Sequence, residues 1–370
     1  MGNENSNYII SLRSSNAVKI SDSEDKSYHG ATYLRDLVSN PCTSNTADPY
    51  SYNLSAGINP EKWLGDLIED NPGGQVLVFI HGYHNCAPSA ITRYLSVKNA
   101  VSERLPEARV ICFDWASSEG GYREDQKVVE KSAPLLIDRC LNMLMKAGIS
   151  GSRIHILTHS MGGYLLQNAF CGEPTYEPIA NVLMAQADVL EKHFSSKAHS
   201  SALPCLLKHT RHLTVYWSSH DLALATANSA NMGEFKEPCN SSSEPQKNLL
   251  GKRLGKWGLE SDVFHSHYVS QLSNVDYSCY YSKEYSVESN ITAEKKNVPS
   301  DTHVWPLLGT TLKPRPNGDE FFMDDLVAVI SGQPNIHRKL IDDKEPNNWK
   351  FKIRLDDEPS ITREMSESIL

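Results

Sequence analysis

Short, mostly apolar runs alternate with helix-type patterns through the middle of the chain. Val76–Ile80 is an uninterrupted apolar run, which is typical of a strand that is covered on both faces. Arg109–Phe113 and Arg153–Leu157 are two further predicted strands. Between the three strands, residues 88–104 and 125–147 carry apolar residues at helical spacing. This alternation predicts an α/β fold with a mostly parallel sheet and helices on both of its faces.

Further elements continue this rhythm. The predicted helices are Pro60–Asp70, Met161–Phe170 and Phe321–Ile330. The predicted strands are Pro178–Met184, His212–Trp217 and Val275–Tyr281, the last of which should close the sheet. In the long helix over 125–147, Pro134 must lie near the start or kink the helix, because it lacks a backbone N–H.

The pattern weakens at the beginning of the chain. Residues 1–59 are polar and rich in Ser and Asn, and the short apolar runs Tyr8–Leu12 and Ala17–Ile20 predict edge strands at most. We therefore expect residues 1–59 to wrap around a core that is formed by residues 60–335.

Two later segments also interrupt the rhythm. Residues 225–268 turn polar and are too long for a plain connection. They are interpreted as an insertion over the carboxyl edge of the sheet, where a segment of this kind can serve as a lid. Residues 336–370 are charged and follow the last predicted helix, so they predict a loosely held polar tail.

Charge, apolar run length and cysteine spacing argue against several classes of protein. The 370 residues carry a net charge of −9 with acidic and basic residues interspersed, which argues against a nucleic-acid-binding face. No apolar stretch reaches the ~18 residues of a membrane span, and no secretory signal is recognisable, so a cytoplasmic location is expected. The eight cysteines form no CxxC pair, which predicts reduced core thiols and no metal site.

The stretch ILTHSMGGYLL, residues 156–166, places Ser160 between a predicted strand and a predicted helix. A nucleophilic serine in this position needs small neighbours so that the strand and helix can approach each other, and Gly162 and Gly163 satisfy that need. The usual pattern is G-x-S-x-G, whereas this chain has Thr158 at the first glycine. The alternative interpretation is that Ser160 only caps the helix.

A second turn follows the strand Val76–Ile80 and begins with His-Gly. Glycine lets the chain bend so that the next backbone amides can stabilise negative charge on a substrate oxygen. The amide of Met161 would be one such donor, and Tyr83 or His84 would supply the other. Tyr83 and Met161 are therefore the predicted oxyanion donors.

A serine nucleophile needs a histidine base and an acid that orients it, in the chain order serine, acid, histidine. Asp221 follows the strand His212–Trp217 and is the favoured acid, with Asp188 as the alternative and helix capping as its non-catalytic interpretation. His303 is the favoured base because it lies between the last predicted strand and the last helix. The other candidates come too early or too late: His265, His267 and His337.

Five segments together resemble the alpha/beta hydrolases, and in particular a group of bacterial-type serine-hydrolase-like proteins with FIHGY and HSMG motifs. The resemblance covers about residues 63–305. The segments are FIHGYHN (79–85), FDWASSEGGYRED (113–125), THSMGG (158–163), VYWSSHD (215–221) and RLGKWG (253–258).

This resemblance implies hydrolysis of a carboxylic ester or a related acyl bond in a small-molecule substrate. Ser160 would attack, His303 would shuttle the proton and Asp221 would orient it, with no metal or organic cofactor. Substrate contacts are predicted for Tyr83, His84, Trp115, Tyr122 and His159.

Three alternatives remain open at this stage. The same machinery serves amidases, peptidases, thioesterases and acyltransferases. A non-catalytic hydrolase fold used for binding is a second alternative. Lipolysis at a membrane surface is the third and is disfavoured, because residues 225–244 are mostly Ala, Asn and Ser rather than an amphipathic apolar lid.

Overall fold

The apolar runs of the sequence form strands that lie side by side. In the computed structural model, the described residues are 6–13, 31–39, 50–117, 121–196, 201–221, 223–225, 251–278, 303, 319–335, 338–341 and 344–351. The strands are β1 (Tyr8–Ser11), β2 (Thr32–Leu34), β3 (Val38–Ser39), β4 (Tyr50–Ser51), β5 (Val76–Ile80), β6 (Arg109–Asp114), β7 (Ile154–His159), β8 (Ile179–Ala185), β9 (Thr210–Trp217), β10 (Leu272–Asp276), β11 (Arg338–Leu340) and β12 (Asn348–Phe351). The helices are α1 (Pro60–Asp70), α2 (Ala87–Arg104), α3 (Tyr122–Leu136), α4 (Asn142–Lys146), α5 (Met161–Ala169), α6 (Leu203–His209), α7 (Leu254–Trp257), α8 (Ser261–Phe264) and α9 (Asp319–Ser331).

The main sheet has the strand order β11-β12-β10-β9-β8-β7-β5-β6-β1-β2, while β3 and β4 form a separate pair. The strands from β12 to β1 all run parallel, and β2 and β11 are antiparallel additions at the two edges. The predicted α/β fold with a mostly parallel sheet is therefore confirmed.

Chain order reverses at β5, which lies between β6 and β7. Ile80 at the end of β5 is in register with Thr158 near the end of β7. The turns that follow these two strands therefore emerge side by side at the carboxyl edge of the sheet. Open α/β sheets bind their ligands at such a reversal of strand order.

Both faces of the sheet are covered, as the apolar strands predict. Along β5, Val76, Val78 and Ile80 belong to one hydrophobic cluster, and Leu77 and Phe79 belong to the other. The first cluster includes residues from α1, α3 and α5, and the second includes residues from α2 and α9. The period of two in β5 thus distributes its side chains between two cores.

The long helix predicted over residues 125–147 is confirmed in position but is irregular. It consists of α3, a π-helical turn at Ile137–Leu141, and α4. Pro134 lies inside α3 rather than at its start. Because proline donates no backbone hydrogen bond, the regular ladder is interrupted just before the π turn.

The prediction that Tyr8–Leu12 is an edge strand at most is wrong. β1 pairs with β6 in parallel and with β2 in antiparallel orientation, and Tyr8, Ile9 and Ile10 have no exposed surface. A four-residue strand inside a sheet has too few positions for its burial to be recognised from sequence. The other predicted run, Ala17–Ile20, lies outside the described residues.

The end of the chain also differs from the prediction of a loosely held tail after residue 335. β11 and β12 extend the main sheet beyond β10. Arg338 in β11 forms a bidentate ion pair with Asp325 of α9, at 2.6 and 2.7 Å. Strands that lie before residue 60 and after residue 335, the predicted limits of the core, therefore belong to the same sheet as the strands between them.

The interpretation of residues 225–268 as a lid is corrected for the described part. Leu254, Leu259, Val263 and Phe264 are buried members of the first hydrophobic cluster. This part of the segment is core rather than cover. Residues 226–250 lie outside the described part of the chain.

The last predicted parallel strand is shifted toward the N-terminus. β10 spans Leu272–Asp276 instead of 275–281. Ser273 and Asn274 are almost fully buried within it. These polar residues hide the strand from an apolar pattern, because their side chains bond to His212 and Asn348 instead of water.

Among the described helices, none combines the length and apolar character that crossing a bilayer requires.

Two buried histidines and one half-buried histidine should make the stability depend on pH. Burial disfavours the charged ring and lowers the pKa of His155, His193 and His212 to about 4. Unfolded histidine has a pKa of about 6.5, so the unfolded chain takes up protons first as the pH falls. Their stabilising contribution is therefore complete above pH ~6.5 and is lost toward pH ~4, by about 1–2 kcal/mol per histidine at pH ~5.

Urea unfolding at several pH values between about 7.5 and 5 measures this effect. His155→Gln is a suitable control, since His155 bonds to Gln75 and Asn181 at the end of the sheet opposite Ser160. That variant should lose part of the pH dependence. An unfolding free energy that stays constant over this range would contradict the prediction.

Candidate active site

Ser160 occupies a strained turn between β7 and α5. Its φ and ψ are 52° and −124°, in a region that residues with a side chain rarely adopt. The crossing is close: a Cβ added to Gly162 would lie 2.6 Å from the carbonyl oxygen of Ile80. Thr158, which replaces the usual first glycine, is fully buried. The turn therefore needs glycine after the serine but accepts threonine before it.

The structure brings together Ser160, His303 and Asp221, three residues that are far apart in the sequence. The Nε2 atom of His303 is 2.8 Å from the Oγ atom of Ser160. Its Nδ1 atom is 2.7 Å from the Oδ2 atom of Asp221. Asp221 has no exposed surface, and Ser160 is 4% exposed. This geometry allows a proton to pass from the serine hydroxyl to an imidazole that a buried carboxylate orients.

Asp221 is itself held by two further donors. The backbone N–H of Leu224 donates to Oδ1 at 2.9 Å, and the side-chain amide of Gln186 donates to Oδ2 at 3.0 Å. Asp221 therefore caps the short helical turn that follows it and also faces His303, so its two predicted roles are compatible. Gln186 was not predicted from the sequence, and it follows β8 with a positive φ of 47°.

Asp188, the alternative acid, lies in a different contact network. The hydroxyl of Tyr122 donates to its Oδ2 atom at 2.5 Å, and Arg253 forms an ion pair with its Oδ1 atom at 3.2 Å. Its backbone N–H donates to the carbonyl of Ser160 at 3.0 Å. The carboxylate next to His303 is thus that of Asp221, and Asp188 supports the serine turn through the main chain.

His159 was predicted to contact the substrate, but its ring is engaged with the protein. It is 3% exposed, and its Nε2–H donates to the main-chain carbonyl of His303 at 2.8 Å. Burial and the neighbouring His303 ring hold the pKa of His159 well below its usual range. A neutral His159 that is protonated on Nε2 therefore tethers the backbone of His303 beside Ser160.

The loop after β5 lies directly against Ser160. A Cβ added to Gly82 would be only 2.8 Å from the Cβ of Ser160, so glycine is needed for this approach. The amides of His84 and Asn85 donate to Asp125 and Ser117, at 3.4 and 3.1 Å.

The amides of His84 and Asn85 are therefore already bonded within the protein. The amide of Met161 is the first of α5, and the first amides of a helix have no acceptor within that helix.

The other residues predicted to contact the substrate differ in how far their side chains are exposed. Tyr83 is partly exposed, His84 is exposed, and the Tyr83 ring lies 5.4 Å from that of Tyr122, which is 8% exposed. Trp115, by contrast, has no exposed surface. It stacks on His81, and its Nε1–H donates to the His81 carbonyl at 2.8 Å. Trp115 therefore supports the loop after β5 rather than lining a pocket.

Within the described part of the chain, no group of three or more His, Cys, Asp or Glu side chains is arranged to hold a metal ion.

Comparison with known protein families identifies the family of this chain. The family described as "Alpha/beta hydrolase of unknown function (DUF900)" matches residues 58–253, more than half of the sequence. The chain belongs to this family. The part of this alpha/beta hydrolase that matches contains Ser160 and Asp221 and ends before His303. A search of curated proteins finds no match.

Several solved structures of esterases and lipases are similar to this alpha/beta hydrolase at low identity. One is EstE5 with PMSF, at 11% identity and a TM-score of 0.27, covering 43% of this chain and 63% of that protein. An esterase/lipase from an uncultured bacterium has 10% identity and a TM-score of 0.25, covering 42% and 63%. A lipase/esterase from Lactobacillus plantarum has 11% identity and a TM-score of 0.25, covering 40% and 65%. The matched region thus spans less than two thirds of each of these proteins.

Proposed function

We propose that this alpha/beta hydrolase is a serine hydrolase that cleaves a carboxylic ester through an acyl-enzyme intermediate. The observation that carries the proposal is the 2.8 Å contact between the Ser160 hydroxyl and the His303 ring, whose other nitrogen faces the buried Asp221. The strained backbone of Ser160 supports it further, because helix capping alone does not require a positive φ.

In the proposed mechanism, His303 accepts the proton of Ser160 as the hydroxyl oxygen attacks the acyl carbon. Asp221 keeps the proton on Nδ1 so that Nε2 can act as the base, and it stabilises the imidazolium that forms. His303 then protonates the leaving alcohol. Water attacks the acyl-enzyme in the second half of the cycle, and His303 again acts first as base and then as acid.

The amides of Tyr83 and Met161 are proposed to stabilise the oxyanion of each tetrahedral intermediate. Donors that are fixed before the reaction are effective because they need no reorganisation, and each is worth roughly 10²–10³ in rate. The position of Gly82 against Ser160 supports this assignment, since it brings the loop after β5 next to the attacking oxygen. The proposed chemistry uses only groups of the protein and water.

A fluorophosphonate probe tests the proposal directly, because it labels an activated serine and leaves an unreactive one untouched. We expect labelling of the wild-type protein at Ser160, identified by peptide mass spectrometry, and none in Ser160→Ala. A wild-type protein that stays unlabelled would instead support a non-catalytic binding role. Comparing short- and long-chain p-nitrophenyl esters would then separate esterase from lipase behaviour, and we expect preference for the short chain.

A further inference from the structure

The guanidinium group of Arg13 lies where three segments of the chain meet. Arg13 follows β1, and its Nε–H donates to both carboxylate oxygens of Asp114, at 2.9 and 3.0 Å. Its Nη1 donates to the carbonyl of Ser117 at 2.6 Å. Its Nη2 donates to the carbonyls of Asn85 and Trp115, at 2.7 and 3.2 Å. Every nitrogen of the group is therefore used, and the planar fork fixes these segments relative to one another.

Asp114 is the anion around which this arrangement is built. It has no exposed surface, and His81 contacts its Oδ1 atom at 2.9 Å. The hydroxyls of Ser11 and Tyr52 also donate to it. Burial by itself raises the pKa of Asp114, but Arg13 and His81 outweigh it and hold that pKa well below its usual range. A buried carboxylate of this kind depends on a cationic partner, which Arg13 supplies.

The contacts of Arg13 act on the same loop that carries the proposed oxyanion donor. Besides the Asn85 carbonyl bound by Arg13, the carbonyls of Gly82 and Tyr83 accept from the side-chain amide of Asn85, at 2.8 and 2.9 Å. The carbonyl of His81 accepts from Trp115. Each of these carbonyls shares a rigid peptide plane with the amide of the next residue. Holding the Gly82 carbonyl therefore also holds the amide of Tyr83.

We propose that Arg13 is a positioning residue for the oxyanion loop, here defined as residues 81–85. The N-terminal segment would thus set the orientation of the Tyr83 amide without touching the substrate. The catalytic consequence rests on the proposed function, whereas the effect on loop order does not. Arg13 should therefore influence the turnover rate more than substrate binding.

Arg13→Ala tests this inference, with Arg35→Ala as the matched control. Arg35 lies in the same N-terminal segment, but it forms ion pairs with Asp66 and Asp70 of α1, at 2.7 and 3.3 Å, away from the oxyanion loop. It also donates to the hydroxyl of Ser6 at 2.6 Å. We expect kcat for p-nitrophenyl acetate to fall by about 10- to 100-fold in Arg13→Ala with KM changed by less than about threefold. The kcat of Arg35→Ala should stay within about twofold of wild type.

Two additional measurements separate positioning from a loss of folding. Guanidinium ion, added well below denaturing concentrations, should restore part of the activity of Arg13→Ala but not affect Arg35→Ala. Arg13→Lys keeps the charge opposite Asp114 but not the fork, so it should regain thermal stability more fully than kcat. If Arg13→Ala does not fold, Arg13→Lys carries the test. Wild-type kcat in a folded Arg13 variant, or an equal loss in Arg35→Ala, would overturn the inference.

Hydrogen exchange gives a result that does not depend on activity. In Arg13→Ala, or in Arg13→Lys if the alanine variant does not fold, the amides of His84 and Asn85 should exchange faster than in wild type, while those of Arg35→Ala should not. If the wild-type protein is inactive and the serine probe does not label it, the proposed function fails. The hydrogen-exchange comparison still tests whether Arg13 orders residues 81–85. Unchanged exchange over residues 81–85 would refute the positioning role of Arg13.

Discussion

Ser160→Ala is expected to lower kcat for p-nitrophenyl acetate by a factor of about 10⁴ or more. The hydroxyl oxygen that would form the acyl-enzyme is then absent, while His303 and Asp221 remain beside an empty position. KM should change little, because the proposed substrate contacts are intact. Steady-state kinetics on protein free of wild-type contamination measure the effect, and circular dichroism should show an unchanged fold.

Ser160→Gly provides a second, structural test at the same position. The φ of 52° is unfavourable for alanine as well as serine, but glycine adopts it readily. The glycine variant should therefore be as inactive as Ser160→Ala and more stable than it by about 1 kcal/mol in urea unfolding. Turnover in either variant would contradict the role of Ser160, and a less stable glycine variant would contradict the strain.

Asp221→Asn is expected to reduce kcat by a factor of about 10⁴, close to the loss in His303→Ala. An amide at this position can donate to Nδ1 of His303 and would then favour the wrong tautomer for a base at Nε2. The backbone N–H of Leu224 donates to Oδ1, and an amide oxygen at that position still accepts this bond, so the side chain stays in place when it is changed, although the bond from Gln186 to Oδ2 is lost. The loss should therefore appear in kcat, with thermal stability much less affected.

Asp188→Asn is the matched comparison, because it makes the same chemical change just after the neighbouring strand β8. Its carboxylate pairs with Arg253, and both side chains are almost fully buried. The variant should lose about 3 kcal/mol of stability, since a buried guanidinium would lack its counter-charge. Its kcat should stay within about tenfold of wild type. A larger loss of turnover in Asp188→Asn than in Asp221→Asn would reverse the assignment of the acid.

The hydrophobic pattern predicted the central strands well because nearly every position in them is buried. Every residue of β5 is apolar, whereas β7 is buried throughout although it also contains His155, Thr158 and His159. The turns at Gly82 and Ser160 follow the ends of these two strands. A strand-end glycine or serine is a local feature. The predicted oxyanion donors Tyr83 and Met161 implied that these two turns lie close together, whereas the pairing of β5 with β7 is known only from the structure.

The supporting contacts could not be predicted in this way. Gln186 and Arg13 belong to no recognised motif, and each acts on a residue that is distant in the chain. Arg13 lies 101 residues from Asp114, and its segment reads as polar and irregular. The position of Trp115 in the sequence suggested a substrate contact, but its side chain is fully buried. An aromatic residue just after a strand is as compatible with a pocket wall as with a buried supporting position.

The two edges of the sheet bear on how this protein associates with itself. Within the described part of the chain, each is formed by a three-residue antiparallel strand, Thr32–Leu34 at one end and Arg338–Leu340 at the other. Short edge strands offer few unpaired backbone groups to an incoming chain, which protects a protein against aggregation by strand addition. Self-association, where it occurs, should therefore use side-chain surfaces rather than a sheet continued from one molecule into the next.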